Sequence, residues 1–277
     1  MRTLSLGYSP CPNDTFIFYA LVRQRIDTGD LRFNEILLDV ETLNQMARRS
    51  ELDITKVSFH ALGHLREQYC LLRSGGAIGK GCGPLIVSKE SYDIKGLKGK
   101  KIAIPGRLTT AFLLLRIFAP SFSENVVVMP FDRIIDSVKS GESDAGLIIH
   151  ESRFTYKNSG LKEVMDLGEW WEKETGFPIP LGGILARRDI GNDVIQKADR
   201  LIKESVKYAF SNRHETGSYI KKYSQETEDE VIAQHINLYV NDFSLDIGDD
   251  GIQAVEELFR MAEDRGIIEK SSRPLFA

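Results

Sequence analysis

Short apolar, β-branched runs alternate with segments of helical periodicity from the first residues onward, and this alternation restricts the chain to βα units feeding a largely parallel sheet. The runs that read as strands are 2–8, 31–40, 54–59, 84–88, 101–104, 125–129, 145–149 and 184–186. Helical periodicities fill most of the gaps, at 14–24, 41–49, 110–118, 131–140 and 192–212. Within 2–8, Leu4, Leu6 and Tyr8 alternate with Thr3, Ser5 and Gly7, the two-residue period of a strand with one buried face.

Two stretches interrupt this order. KGCG, ending at Gly83, precedes the apolar run PLIVSK, and a polar turn then leads into a fresh strand, KIAIPG. From Gly176 to Asp189, GFPIPLGGILARRD supplies a second apolar strand flanked by Pro and Gly, after which the chain turns helical. About 100 residues separate the two, the size of one small domain. At 277 residues the chain also exceeds what one hydrophobic core usually organises. The expectation is an α/β protein of two domains, 1–87 plus 190–277 forming one and 88–189 inserted as the other. This layout resembles the type II periplasmic-binding-protein fold, in which the ligand occupies the interdomain cleft at the carboxyl ends of strands.

Composition narrows the function. A net charge of -4 gives no concentrated basic face, so nucleic acid is not expected as a partner. No apolar run approaches the roughly 20 residues that span a bilayer, and no export signal opens the sequence, so a cytoplasmic location away from membranes is expected. Three cysteines, Cys11, Cys70 and Cys82, fit neither a disulfide framework nor a metal knuckle; Cys70 reads as core, and the other two stay open. No Walker loop or dinucleotide fingerprint is present, which argues against nucleotide cofactors. Oligomeric state is not legible.

The strand ends name the candidate site. After the first strand, SPCPNDT places Asn13 and Asp14 either as helix caps or, held by two prolines, as ligand contacts. Residues 54–59 carry Lys56 and Ser58, and a hydroxyl beside free amides at a helix start suits a carboxylate. Beyond Gly106, Thr109, Thr110 and Ala111 open an apolar helix, where unpaired amides and the helix dipole favour an anion. His150 ends the strand SDAGLIIH and is expected to face Ser58 across the cleft; imidazole suits general-base work near neutral pH. His60 and His64 stand four apart, but no third ligand follows, so they read as surface or satisfied histidines, and no metal is expected. Trp170, Trp171 and Phe177 read as packing, and the charge mixture at 221–230 as a solvated helix junction.

With SPCPNDTFIF at 9–18, KVSFHA at 56–61, IPGRLTTA at 104–111, LIIHESRFTY at 147–156 and IPLGG at 179–183, the chain resembles the menaquinone-biosynthesis family of the futalosine pathway. The first and fourth motifs resemble its 1,4-dihydroxy-6-naphthoate synthase branch. That resemblance implies a cofactor-free lyase acting on a small carboxylate, cyclic dehypoxanthine futalosine. It implies His150 as catalytic base, with Ser58, Thr109, Thr110 and Ala111 lining an acid-binding pocket, Asn13 and Asp14 at the cleft mouth, and Leu181 on an apolar wall. The alternatives are the family's chorismate dehydratase branch and, on architecture alone, a solute-binding protein for a small acid.

Overall fold

The alternation at the start of the chain folds as a strand, β1 (Arg2–Tyr8), with Leu4, Leu6 and Tyr8 buried. In this computed structural model, which describes residues 1–225 and 228–277, β1 is the second strand of the first of two sheets. That sheet also holds β2 (Leu31–Leu37), β3 (Ile54–Ser58), β4 (Tyr69–Leu71), β5 (Ala77–Gly79) and β11 (Ile179–Arg187), in the order β2-β1-β3-β11-β4 with β5 against β11. The second sheet is built from β6 (Leu85–Ser88), β7 (Ile102–Ile104), β8 (Val126–Val128), β9 (Ala145–Ile148) and β10 (Lys162–Asp166), ordered β10-β6-β9-β7-β8.

Both sheets are mixed, which corrects the expectation of a largely parallel one. The pairs β1–β2, β1–β3, β7–β8 and β7–β9 are parallel. Every antiparallel pair involves β6 or β11. Those are the two strands that carry the chain from one sheet to the other. A strand entering from the opposite sheet has no βαβ crossover behind it, so nothing forces it parallel to its neighbours. The chain also changes sheet earlier than the boundaries drawn at 87/88 and 189/190: β6 pairs within the second sheet, and β11 within the first. Pairing begins in the apolar runs themselves, whereas the sequence shows most plainly the polar turns that follow them.

Helices cover the sheets. α1 (Pro12–Val22), α2 (Val40–Arg48) and α3 (Phe59–Gly63) accompany the first sheet, while α4 (Thr110–Phe118), α5 (Ile134–Ser140), α6 (Ser152–Thr155) and α7 (Leu167–Thr175) belong to the second. α8 (Asn192–Ser211), α9 (Arg213–Tyr223), α10 (Asp229–Tyr239), α11 (Asp242–Leu245) and α12 (Gly248–Asp264) complete the chain. Pro12 opens α1 because its fixed φ suits a first turn and its missing N–H is no loss there. The helix is buried from Pro12 to Leu21, sandwiched between the sheet and α8. The charged stretch at 221–230 closes α9 and opens α10; its residues 226 and 227 lie outside the described residues. Among the described residues no helix is long and apolar enough to cross a membrane.

α7 fixes the second crossing. Trp171 is fully buried, and its indole N–H donates to the carbonyl of Pro178 at 3.0 Å, just before β11 begins. Trp170 packs edge-on to Phe118 of α4, with ring centroids 5.2 Å apart. At the first crossing, Gly83 passes so close to α7 that a Cβ there would lie 2.3 Å from the Cα of Gly168. Only glycine permits that approach. Truncating Trp171 removes a large buried ring and the anchor of β11, so Trp171→Ala should lower stability by about 3–5 kcal/mol. Urea unfolding followed by circular dichroism measures this; a loss below about 1 kcal/mol would contradict the packing role.

Candidate active site

All nine residues singled out from the sequence line one cleft of about 660 Å³, counting the part open to solvent. Residues at or just beyond the ends of β1, β3 and β9 line it, together with Leu181 and Gly182 near the start of β11, in keeping with ligand sites in open α/β folds.

Asp14 and Asn13 form the cleft's ionic floor and do not cap α1, which corrects the capping expectation. Cys11 occupies the cap position and makes no side-chain bond there. Asp14 Oδ2 accepts from the amide and hydroxyl of Ser9 at 3.2 and 2.7 Å, fixing the loop after β1. Its Oδ1 accepts from Asn13 Nδ2 at 2.9 Å and pairs with Lys56 Nζ at 3.1 Å. Lys56, only 5% exposed, also donates to the carbonyl of Gly75 at 3.1 Å. A buried ion pair survives only when its remaining donors and acceptors are satisfied in this way. Ser58 precedes α3 without capping it; its amide donates to Asn44 Oδ1 at 2.9 Å and its hydroxyl accepts from Asn44 Nδ2 at 3.3 Å.

The start of α4 divides the work between its two threonines. Thr109 is a true cap: its hydroxyl accepts from the amide of Phe112 at 3.3 Å and donates to the carbonyl of Gly106 at 2.9 Å. Thr110 joins the two sheets. Its hydroxyl accepts from the amide of Phe59 at 2.9 Å and donates to the carbonyl of Leu181 at 2.5 Å. Two more bonds reinforce this seam, from the amide of Leu108 to Glu41 Oε2 at 3.2 Å and between His60 Nδ1 and the carbonyl of Thr109 at 3.3 Å. His60 is therefore a satisfied core histidine, its pKa pushed down to about 3 by burial, while His64 is exposed. With both hydroxyls engaged, the groups left to an anion are the first-turn amides of Thr110 and Ala111, which take no acceptor among the described residues.

His150 follows β9 with φ +56°, the left-handed region that a non-glycine residue enters at a cost. The turn carries the ring out of the strand line and into the cleft. The imidazole packs against Phe131 at 5.0 Å between centroids and lies parallel to His235 at 6.2 Å. It makes no side-chain hydrogen bond to the described residues. Burial pushes its pKa down to about 4; the Asp14 charge opposes this and that of Lys56 adds to it. The ring is therefore neutral throughout the physiological range.

Behind it lies a polar cluster that sequence reasoning missed. His235, on α10, is 1% exposed; its Nε2 bonds Asn13 Oδ1 at 3.0 Å, and its Nδ1 lies 3.6 Å from the Glu151 carboxylate. Tyr239, one turn on, lines the cleft beside Cys82 and Gly83. Cys11, His150 and Glu151 bring potential metal-ligating atoms within 4.8 Å of one another. Burial, then the Glu151 charge, drives the Cys11 thiol well above its ordinary pKa, which opposes the thiolate that a metal would need.

Comparison with known proteins places the chain in a lineage. The chain is 50% identical over 276 residues to a 1,4-dihydroxy-6-naphthoate synthase of Thermus thermophilus, covering 100% of both chains. A crystal structure of an Archaeoglobus fulgidus protein superposes with a TM-score of 0.91 at 38% identity, covering 96% of this chain and 98% of that one. A Candida albicans protein described as having the generic periplasmic binding protein fold matches with a TM-score of 0.72 at 16% identity, over 98% and 92% of the two chains. That last likeness establishes the fold alone, and it agrees with the architecture read from the sequence. Residues 4–264 match the menaquinone biosynthesis family, to which this chain belongs.

Proposed function

We propose that the chain is a lyase that converts cyclic dehypoxanthine futalosine to 1,4-dihydroxy-6-naphthoate in the cytoplasm, with His150 as general base and without a cofactor. The observation that carries this reading is His150 itself: a neutral imidazole without a side-chain bonding partner, held in a left-handed turn and lining the same cleft as the start of α4. The substrate carboxylate would take the Thr110 and Ala111 amides, with Leu181 and its neighbours supplying an apolar wall. His150 would then remove a proton next to a carbonyl, and formation of an aromatic ring would draw the later steps forward. The 50% identical relative supports this product over the chorismate dehydratase alternative. The carrier alternative has only the distant fold likeness behind it.

A base acts mainly in the transition state, so His150→Ala should lower kcat about 10²- to 10⁴-fold and leave KM within a few-fold. Steady-state assay of naphthoate formation checks this; a variant as active as wild type removes the assignment. The pH dependence follows from the lowered pKa. An imidazole pushed down to about 4 stays in its basic form as pH falls through the usual histidine range and is lost only near its own pKa. The acid limb of kcat/KM should therefore fall toward pH 4, with no inflection near 6.5; an inflection at the ordinary value would contradict the environment described. Thr110→Val leaves the Phe59 amide without its acceptor and loosens the seam between the sheets. It should raise KM about ten-fold, and an unchanged KM would contradict the seam's role in binding.

A further inference from the structure

Among the nitrogen- and oxygen-bearing side chains lining the cleft, His150 and Tyr239 alone form no hydrogen bond to the described residues. Ser9, Asn13, Asp14 and Lys56 are engaged with one another or their neighbours, and Ser58, Thr109 and Thr110 are committed as described above. Tyr239 is 7% exposed. The hydroxyl is not among the fully sealed polar atoms without a partner, so it is an accessible donor of a cleft-lining residue and not an unmet core group. The ring is held firmly: it packs 4.6 Å from His235, which is tied in turn to Asn13 of α1. Burial raises the phenol's pKa, so it is a donor at any working pH.

We infer that Tyr239 donates a hydrogen bond to the substrate oxygen that becomes negative when His150 removes the neighbouring carbon-bound proton. This rests on the lyase reading above. The proton passes from carbon to the imidazole, the C–H pair becomes a C=C bond, and the carbonyl π pair moves onto oxygen as an enolate. The phenol keeps its proton throughout and stabilises that oxygen as an oxyanion-hole donor does. Nothing is oxidised or reduced. The cleft thereby holds three kinds of recognition: amides for the carboxylate, an imidazole for the proton, and a phenol for the oxygen that gains charge.

The test compares wild type with Tyr239→Phe in steady-state turnover of cyclic dehypoxanthine futalosine, with a thermal melt of each. The expected result is a kcat about 10²-fold lower, a KM within about three-fold, and an unchanged melting temperature, because the lost hydroxyl had no protein partner. Wild-type turnover with a kcat for Tyr239→Phe less than about ten-fold lower would overturn the inference alone. So would a fall in kcat that tracks a fall in thermal stability, since that marks a packing role. No naphthoate from wild type would overturn the lyase reading and this inference with it.

Discussion

One threonine hydroxyl bonds both sheets at the mouth of α4. By accepting from the Phe59 amide and donating to the Leu181 carbonyl, Thr110 ties the start of α4 in the second sheet to β3, α3 and β11 in the first. Both bonds are made by a side chain only 3% exposed, where an unmade bond carries its full desolvation penalty. The seam brings the α4 amides into the same cleft as His150. The two sheets also share one hydrophobic core, with Val57 and Leu185 of the first in the same cluster as Ile86, Ile102 and Leu147 of the second. The Glu41–Leu108 and His60–Thr109 bonds add to the seam without replacing it.

Within that frame, the chemistry depends on which groups are already occupied. The Asp14–Lys56 pair is a structural charge, locked by Ser9, Asn13 and Gly75, and leaves no loose carboxylate on the cleft floor. Burial, which keeps His150 neutral, also strengthens electrostatic contacts in the cleft, where fewer waters compete. The left-handed backbone at position 150 is strain stored where a side chain must leave the line of its strand.

Much of this was legible in the sequence, for reasons that can be located. β1 and α4 have the predicted bounds because each has a clean period, two residues for the first and an apolar helical run behind a threonine cap for the second. β4 and β5, three residues each, fell below the length at which a period shows. β10 is an edge strand with half-exposed, charged residues, so its alternation is blurred. β11 was expected only at 184–186, because Pro180 and two glycines hide a nine-residue strand that tolerates them at a bulge against β5. The nine candidate residues line one cleft because strand-end position, cap chemistry and family resemblance all marked the same segments. That the Thr110 hydroxyl already has two partners is visible only in the fold, because both lie far away in sequence. His235 and Tyr239 had no signal: on the amphipathic helix DEVIAQHINLY they look like ordinary core residues.

The central claim is that His150 and the α4 amides address two parts of a single ligand. A crystal structure with 1,4-dihydroxy-6-naphthoate bound tests it most directly. The carboxylate is expected on the amides of Thr110 and Ala111 and the hydroxylated ring beside the His150 imidazole. A carboxylate seated elsewhere, or a ring lying away from His150, would contradict it.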